Sequence, residues 1–215
     1  MSWRVALIDS CGHWPGVTDA AAFVSDGQRV ERRATAADST GHGSRIAAFL
    51  TAGDDAVELK LAQVFLSERA ASAAALAAAI DWAAAQHAEL IHMSLGLEAD
   101  RAVLAAAIAG AVAAGCIVVA STPARGAPVY PAGYANVIRA TGDARCASGE
   151  VSCLDPWLFG GCPRFAAAGD ASGGASVGAV HVTRAIIGGP KWGSAVAVAA
   201  ALKANARYLG PERRS

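Results

Sequence analysis

The chain has 215 residues, of which 54% are hydrophobic and 17% charged, and this length suffices for one domain with a substantial core. Its 18 lysine and arginine residues balance 18 aspartate and glutamate residues, so no excess charge favours a nucleic acid or an anionic membrane as partner. Charged residues such as Asp81 and Arg101 interrupt the alanine-rich stretches before they reach the length of a membrane span.

The N-terminus and the cysteines predict the cellular compartment. The opening "MSWRVALIDS" lacks a basic region followed by a long apolar run, so we expect no signal peptide and no pro-domain. We therefore predict a single domain over residues 1–215 in the cytoplasm. Five cysteines with no zinc-binding spacing favour reduced thiols, and a disulfide among three of them is the alternative. The three are Cys146, Cys153 and Cys162; the other two are Cys11 and Cys116.

Strands and helices alternate along the chain. In chain order, the pattern predicts strands at 3–9 and 28–34, a helix at 41–53, a strand at 57–66, a helix at 71–87, a strand at 88–95, a helix at 101–115, strands at 116–121 and 135–142, and helices at 175–188 and about 193–208. The stretch 143–165 is predicted to be irregular. Because most of the strands are apolar throughout, they predict an α/β fold with a mostly parallel central sheet and helices on both faces.

Polar residues follow several predicted strands. Asp9 ends the first strand, and Ser94 to Gly96 and Ser121 to Ala124 follow two later ones. Ligands of parallel sheets bind at the carboxyl ends of the strands, so these residues are candidates for a functional site.

Ser176 lies in "GDASGGASVGAVHV" (169–182), among residues too small to shield it. The apolar spacing after it predicts that Ser176 lies at or just inside a helix N-terminus. Such a serine is most often an N-cap, which accepts a hydrogen bond from the helix backbone. It is alternatively a nucleophile, since small neighbours would let a substrate backbone approach it.

Three sequence blocks decide between these alternatives. "VALIDS" contains Asp9, "STGHGSRIA" contains His42 and "GGASVGAVHV" contains Ser176. Together, and in this order, they resemble the signature blocks of the subtilisin family of serine peptidases. The resemblance implies a catalytic triad in which Ser176 is the nucleophile, His42 the general base, and Asp9 the residue that orients His42.

Further blocks extend the resemblance over nearly the whole chain. "ELIHMSLG" (89–96) is similar to the family's substrate-binding strand, which commonly reads "VINMSLG", and it implies substrate contacts at Ser94, Leu95 and Gly96. "GCIVVASTPARG" and "YPAGYANVIRATG" are similar to the family's oxyanion strand and to the segment that follows it.

The chain also departs from the family pattern. The oxyanion strand usually ends in "AAGN", whose asparagine donates a hydrogen bond to the oxyanion, and here Ala124 stands at that position. Thr122 and Arg125 are the candidate replacement donors. The family's calcium-binding insertion is missing, and we expect Asp54 and Asp55 to form a solvated turn. No metal or cofactor is therefore expected, and Cys11 and His181 are predicted to be structural.

The sequence predicts a serine endopeptidase acting on a peptide or protein precursor. Within the family, the chain resembles the small subtilases of quinohemoprotein amine dehydrogenase biogenesis, and this implies removal of a leader from a crosslinked small subunit. The alternative is an inactive relative that binds a peptide without cleaving it, which the missing asparagine favours. A nucleotide-binding protein is disfavoured because no glycine fingerprint follows the first strand.

Overall fold

The computed structural model describes residues 2–53, 57–66, 71–127, 129–165 and 173–212. Within them lie ten strands and five helices, which form two compact units: Met1–Met93 with Ala99–Val118, and Ser94–Glu98 with Val119–Ser215. In chain order the elements are β1 (Trp3–Asp9), β2 (Ala20–Ser25), β3 (Val30–Arg33), α1 (His42–Thr51), β4 (Val57–Gln63), α2 (Ala73–Ala85), β5 (Leu90–Met93), α3 (Ala102–Ala113), β6 (Ile117–Ser121), β7 (Val137–Gly142), β8 (Val151–Asp155), β9 (Leu158–Gly161), α4 (Ala175–Ile187), α5 (Ala195–Ala204) and β10 (Tyr208–Leu209).

The sheet of the first unit has the strand order β5-β1-β4-β2-β3. β1 is parallel to both β4 and β5, β2 is parallel to β4, and only the outermost pair, β2 with β3, is antiparallel. Six of the seven residues of β1 are buried, as expected of a strand with a neighbour on each side. The register places Asp9 beside Gln63 at the carboxyl end of β1.

The helices of the first unit pack on this sheet and on each other. α2 contacts β1, β2 and β4, and α3 packs on α2. Alanine dominates both helices, and its small side chain allows close packing between them. α1 contacts β1 and β4, which brings its first residue, His42, to the end of β1.

The second unit contains strands in the order β10-β8-β9-β7-β6. β7 is parallel to β9, and β8 pairs with β9 as an antiparallel hairpin. α4 packs against β7 and β9 at a distance that requires glycine, because a Cβ on Gly178 would lie 2.0 Å from the carbonyl oxygen of Thr141. This close approach fixes the position of the N-terminal turn of α4, which carries Ser176.

The predicted α/β fold class with a mostly parallel sheet is confirmed, but four strands were missed. β2 consists of six small or apolar residues, AAAFVS, which gave no strand signal. β8 and β9 lie in the stretch predicted to be irregular, where cysteine and glycine replace the β-branched residues typical of strands. The last helix was predicted to reach 208, but it ends at Ala204 because β10 pairs with β8.

Two further predictions concern the cysteines and membrane association. All five cysteines are free and buried, so the alternative of a disulfide among Cys146, Cys153 and Cys162 is wrong. None of the helices in the described part of the chain is both long and apolar enough to cross a membrane. The single domain over residues 1–215 stays a prediction.

Candidate active site

Asp9 and His42 form a hydrogen-bonded pair in the first unit. Nδ1 of His42 lies 2.8 Å from Oδ1 of Asp9. The Asp9 side chain is 1% exposed, whereas the His42 side chain is 38% exposed. A buried carboxylate thus holds one ring nitrogen of a more accessible imidazole, which fixes the orientation of the ring.

The two oxygens of the Asp9 carboxylate have different surroundings. Oδ1 accepts hydrogen bonds from the backbone N–H of Ser10 at 2.7 Å and from the Ser10 hydroxyl at 3.2 Å, in addition to the contact with His42. Oδ2 is buried and has no hydrogen-bond partner among the described residues. Among the described residues, the carboxylate is therefore anchored through Oδ1 alone.

A network of hydrogen bonds positions the start of α1. Gly41 adopts a left-handed conformation (φ 69°) immediately before His42, a conformation that favours glycine. The Asp38 carboxylate accepts hydrogen bonds from the backbone N–H of Gly41 and of Ser44, both at 2.8 Å, and from the Ser44 hydroxyl at 2.7 Å. Burial raises the pKa of Asp38, but these donors outweigh it and bring the pKa to about 2. Asp38 therefore stays ionised at the N-terminus of α1, where a negative charge is favourable.

Ser10 links this network to Asp9. Its hydroxyl accepts hydrogen bonds from the Thr40 hydroxyl and the Gly43 backbone N–H, both at 2.9 Å. A Cβ on Gly43 would lie 2.3 Å from the backbone nitrogen of Cys11. Glycine at this position therefore allows α1 to approach the end of β1.

The pKa of His42 is raised above its usual value. The hydrogen bond to Asp9 is the main cause, and the charges of Asp9 and Asp38 act in the same direction. Burial and the charge of Arg45 oppose it. The Asp9 carboxylate thus stabilises the protonated imidazole, which is the state that a general base reaches after taking a proton.

Ser176 lies in the second unit as the second residue of α4. The N-cap is Gly174 (φ 106°) and makes no side-chain hydrogen bond, so interpreting Ser176 as the N-cap is wrong. The Ser176 hydroxyl donates to the carbonyl oxygen of Ser94 at 3.1 Å, and the Ser94 hydroxyl donates to the carbonyl oxygen of Ser176 at 3.2 Å. The N-terminal turn of α4 is thereby tied to the predicted substrate-binding segment.

That segment continues from the buried residues Ser94 and Leu95 to the exposed Gly96. Reciprocal backbone hydrogen bonds of 2.7 and 2.8 Å join Leu97 to Tyr130. A Cβ on Gly96 would lie only 2.3 Å from a methyl carbon of Val129, so a larger residue would displace that side chain. The exposed backbone at Gly96 is thus backed by Val129.

The three candidate oxyanion residues differ in burial. Thr122 is buried, and its backbone N–H donates to the carbonyl oxygen of Ala140 at 2.8 Å. This bond uses the backbone donor of Thr122, so its hydroxyl is the group that could serve an oxyanion. Ala124 and Arg125 are exposed. Of the two candidate donors, Thr122 and Arg125, the arginine has the longer side chain.

The two residues predicted to be structural have structural contacts. Nε2 of His181 lies 3.1 Å from the carbonyl oxygen of Arg164, and burial lowers the pKa of the imidazole. The Cys11 thiol donates to the carbonyl oxygen of His13 at 3.3 Å, and burial raises its pKa. A buried thiol with a raised pKa is a poor nucleophile.

The described residues contain no group of three or more histidine, cysteine, aspartate or glutamate side chains that could hold a metal ion. Asp54 and Asp55, predicted to form a solvated turn, lie outside the described residues, as do residues 169–172 of the stretch before Ser176.

His92 is a buried polar residue to which the sequence analysis assigned no role. It lies in the middle of β5, is 0% exposed and pairs with Leu7 of β1. Burial lowers its pKa to about 4, while the charge of Asp9 opposes the shift and that of His42 adds to it. The sequence feature that could have pointed to His92 is its place within an otherwise apolar strand, at a position where the family commonly has asparagine.

Asp9 and His42 thus belong to the first unit, and Ser94 and Ser176 to the second. The sequence model of the subtilase family (peptidase S8) matches residues 13–186. The chain belongs to the subtilase family. The match includes His42 and Ser176 and begins shortly after Asp9. This subtilase is accordingly a serine peptidase, a hydrolase.

Solved structures with the same fold include other peptidases. An S41 psychrophilic protease has a TM-score of 0.64 and 20% identity, with 94% of this chain and 82% of that chain covered. Sphericase has a TM-score of 0.63 and 20% identity, with 95% and 84% covered. The epidermin leader peptide processing serine protease EpiP from Staphylococcus aureus has a TM-score of 0.52 and 18% identity, with 68% and 47% covered. A comparison with curated proteins gave no match to this subtilase.

Proposed function

We propose that this subtilase is an endopeptidase whose catalytic triad is Asp9, His42 and Ser176. The hydrogen bond of 2.8 Å between Asp9 Oδ1 and His42 Nδ1 carries the proposal. It commits Nδ1 to the carboxylate and leaves Nε2 as the nitrogen for proton transfer. Nucleophilic acyl transfer by a serine requires a buried carboxylate, an imidazole that the carboxylate orients, and a serine at a helix N-terminus.

Each proposed group has a defined role in the reaction. Ser176 Oγ attacks the scissile carbonyl while His42 Nε2 takes its proton, and a tetrahedral oxyanion forms. His42 then donates the proton to the leaving amine, and the acyl-enzyme remains on Ser176. Water, deprotonated by His42, releases the acid product and restores the Ser176 hydroxyl. Asp9 stabilises the imidazolium in both steps without taking a proton itself.

Catalysis requires a change at Ser176. Its hydroxyl donates to the Ser94 carbonyl oxygen, and that donor must turn toward His42 before attack. The backbone N–H of Ser176, in the first turn of α4, is a donor for the oxyanion, since the first N–H groups of a helix have no partner within the helix.

The second oxyanion donor is weaker than in other subtilases. Ala124 cannot donate from its side chain, and we assign the role to the Thr122 hydroxyl or to Arg125. Loss of one such donor lowers kcat by on the order of 10²–10³, a figure measured in a subtilisin. We therefore propose slow turnover on generic peptides.

A slow enzyme suits a dedicated precursor, whose remote contacts can orient the scissile bond. We propose that the leader of such a precursor lies extended along Ser94 to Gly96 and pairs with their backbone. The name of EpiP describes leader-peptide processing within the same fold, which supports this choice. The small subunit of a quinohemoprotein amine dehydrogenase is the candidate precursor. Five free thiols are consistent with action in the cytoplasm.

A second candidate function is peptide binding without cleavage, and Ala124 at the oxyanion position favours it. Reaction with a fluorophosphonate distinguishes the two. We expect covalent labelling of Ser176 in the wild-type chain, and loss of labelling in Ser176→Ala and His42→Ala. Ser194→Ala, which removes a hydroxyl that caps α5 in the same unit, is the matched control and should label normally. A folded wild-type chain that is not labelled, or is labelled elsewhere, contradicts the triad.

A further inference from the structure

His92 lies on the same side of the sheet as Asp9. The register pairs His92 of β5 with Leu7 of β1, and paired residues of neighbouring strands share a face. Asp9 follows Leu7 by two residues in the same strand, so its side chain has the same orientation. The two polar side chains are therefore diagonal neighbours on one face, within reach of each other's electric field.

One oxygen of the Asp9 carboxylate lacks a hydrogen-bond donor among the described residues. Its Oδ1 atom has three donors, but Oδ2 is buried and has no hydrogen-bond partner among the described residues. A buried carboxylate oxygen without a donor is costly and leaves the carboxylate free to rotate about its anchored oxygen. Such rotation would disturb the contact between Oδ1 and His42.

The charge state of His92 suits a neighbour of this carboxylate. Burial brings its pKa to about 4, so the imidazole is neutral near pH 7 and carries one N–H dipole. A protonated His92 would compete with His42 for the negative charge of Asp9, whereas a neutral one does not. The charged groups that act on this arrangement are Asp9 and His42 themselves, together with Asp38 and Arg45, which act on His42.

We propose that His92 is a positioning residue of this subtilase, whose neutral imidazole orients the Asp9 carboxylate from the neighbouring strand. The inference rests on the proposed triad. No hydrogen bond from the described residues reaches Oδ2, so His92 acts through the field of its N–H dipole, which is strong in a buried environment. The dipole stabilises the Asp9 charge and keeps Oδ1 directed at Nδ1 of His42.

The competing explanation is that His92 only fills space in β5. An apolar side chain of similar volume would then serve equally well, and the triad would not respond to its polarity. Two substitutions separate these explanations: His92→Leu keeps the volume and removes the dipole, and His92→Asn restores an amide N–H. His181→Leu is the matched control, because it removes a buried histidine of the other unit, bonded to the Arg164 carbonyl.

The test measures the pKa of His42 by NMR of the imidazole nitrogens, together with kcat and KM on one peptide. His92→Leu should lower the pKa of His42 by about half a unit, because an Asp9 carboxylate that is no longer held in place makes a weaker hydrogen bond to His42. It should lower kcat about 10-fold with KM unchanged. His92→Asn should restore both values, and His181→Leu should leave them at the wild-type level. A His92→Leu enzyme with wild-type kcat and His42 pKa overturns the inference.

A second measurement does not depend on the folding of His92→Leu or on activity. The imidazole N–H resonance of His92 should shift in Asp9→Asn relative to the wild type, and an unchanged resonance overturns the inference. Fluorophosphonate labelling of the wild-type chain separates this inference from the triad itself. Labelled Ser176 with an unresponsive His92 refutes the positioning role alone, whereas absence of labelling refutes the triad.

Discussion

Asp9 and His42 couple the chemistry of the site to pH. The hydrogen bond that His42 donates to the Asp9 carboxylate raises the pKa of His42, and in the proposed triad only the neutral imidazole can take the proton of Ser176. The acidic limb of the pH profile of kcat/KM should therefore report a pKa above the ordinary value of histidine. In the folded state, the same contact stabilises the protein below the unfolded pKa of His42, and this contribution is lost as the pH rises through the folded pKa.

Asp9→Asn should change both the rate and the pH profile. Without the carboxylate, the imidazolium loses its main stabilisation and the ring can adopt the wrong tautomer, so kcat should fall by about 10⁴. The acidic limb of the remaining activity should move to lower pH. Measurement of kcat/KM between pH 5 and 9 checks this, and an unshifted limb contradicts the assignment of His42 as the base.

His181 predicts loss of stability in mild acid. Burial lowers its pKa, so the folded chain keeps this histidine neutral, while the unfolded chain protonates it below about pH 6.5. The free energy of unfolding should therefore fall as the pH decreases from 6.5 toward the folded pKa. Urea unfolding at several pH values tests this. In His181→Gln the fall should be smaller, and an identical slope for both proteins argues against the role of His181.

At the scale of elements, the start of α1 depends on Asp38. Its carboxylate accepts three hydrogen bonds from Gly41 and Ser44, and its low pKa keeps these contacts intact until the pH approaches 2. Asp38→Ala should lower the free energy of unfolding by about 1 kcal/mol and reduce kcat, because His42 is the first residue of the helix. Ser39→Ala, an exposed neighbour, should change neither. Chemical unfolding and peptide kinetics measure the two effects.

The proposed substrate-binding segment depends on a contact between Gly96 and Val129. Since an added Cβ would lie 2.3 Å from a Val129 methyl carbon, Gly96→Ala should lower the free energy of unfolding by about 1–3 kcal/mol. It should also weaken cleavage by moving the backbone that pairs with substrate. The double variant Gly96→Ala/Val129→Ala should recover most of both losses. Gly193→Ala serves as control, because no atom lies within 4 Å of its added Cβ. Failure of the second substitution to compensate contradicts the proposed contact.

The strength of the local signal decided which elements the sequence could predict. β1, β6 and the alanine-rich helices have clear apolar patterns, and they lie where the sequence places them. β8 and β9 depend on pairing with each other and with β7, and such tertiary contacts leave little trace in composition. β10 exists only through its pairing with β8.

The candidate site was predictable where short motifs define it. Asp9, His42 and Ser176 each stand in a recognisable block, and the pairing of Asp9 with His42 follows from the meeting of β1 and α1. Other features of the site are recognised only from burial in the structure, because no sequence motif marks them. Examples are Asp9 Oδ2, which has no hydrogen-bond partner among the described residues, and the fully buried His92. Both depend on strand register, which the sequence alone does not reveal.

For the molecule as a whole, the missing oxyanion asparagine and the balanced charge limit how it can select a substrate. Equal numbers of acidic and basic residues give no long-range steering, so recognition should come from shape and from strand pairing along Ser94 to Gly96. Contacts with a folded precursor can orient the scissile bond and offset the weaker oxyanion site. Short peptides make few such contacts and should therefore be cleaved poorly.

We expect this subtilase to make one cut, at the leader boundary of a dedicated precursor. Incubation with the small subunit precursor of a quinohemoprotein amine dehydrogenase, followed by mass spectrometry, gives the number and position of the cuts. A peptide that spans the same boundary should be cleaved with at least about 10-fold lower kcat/KM, since it lacks the remote contacts. Ser176→Ala on the same precursor controls for contaminating proteases. Many scattered cuts, or equal rates on peptide and precursor, would show that recognition is confined to the residues around the scissile bond and that the enzyme degrades proteins generally.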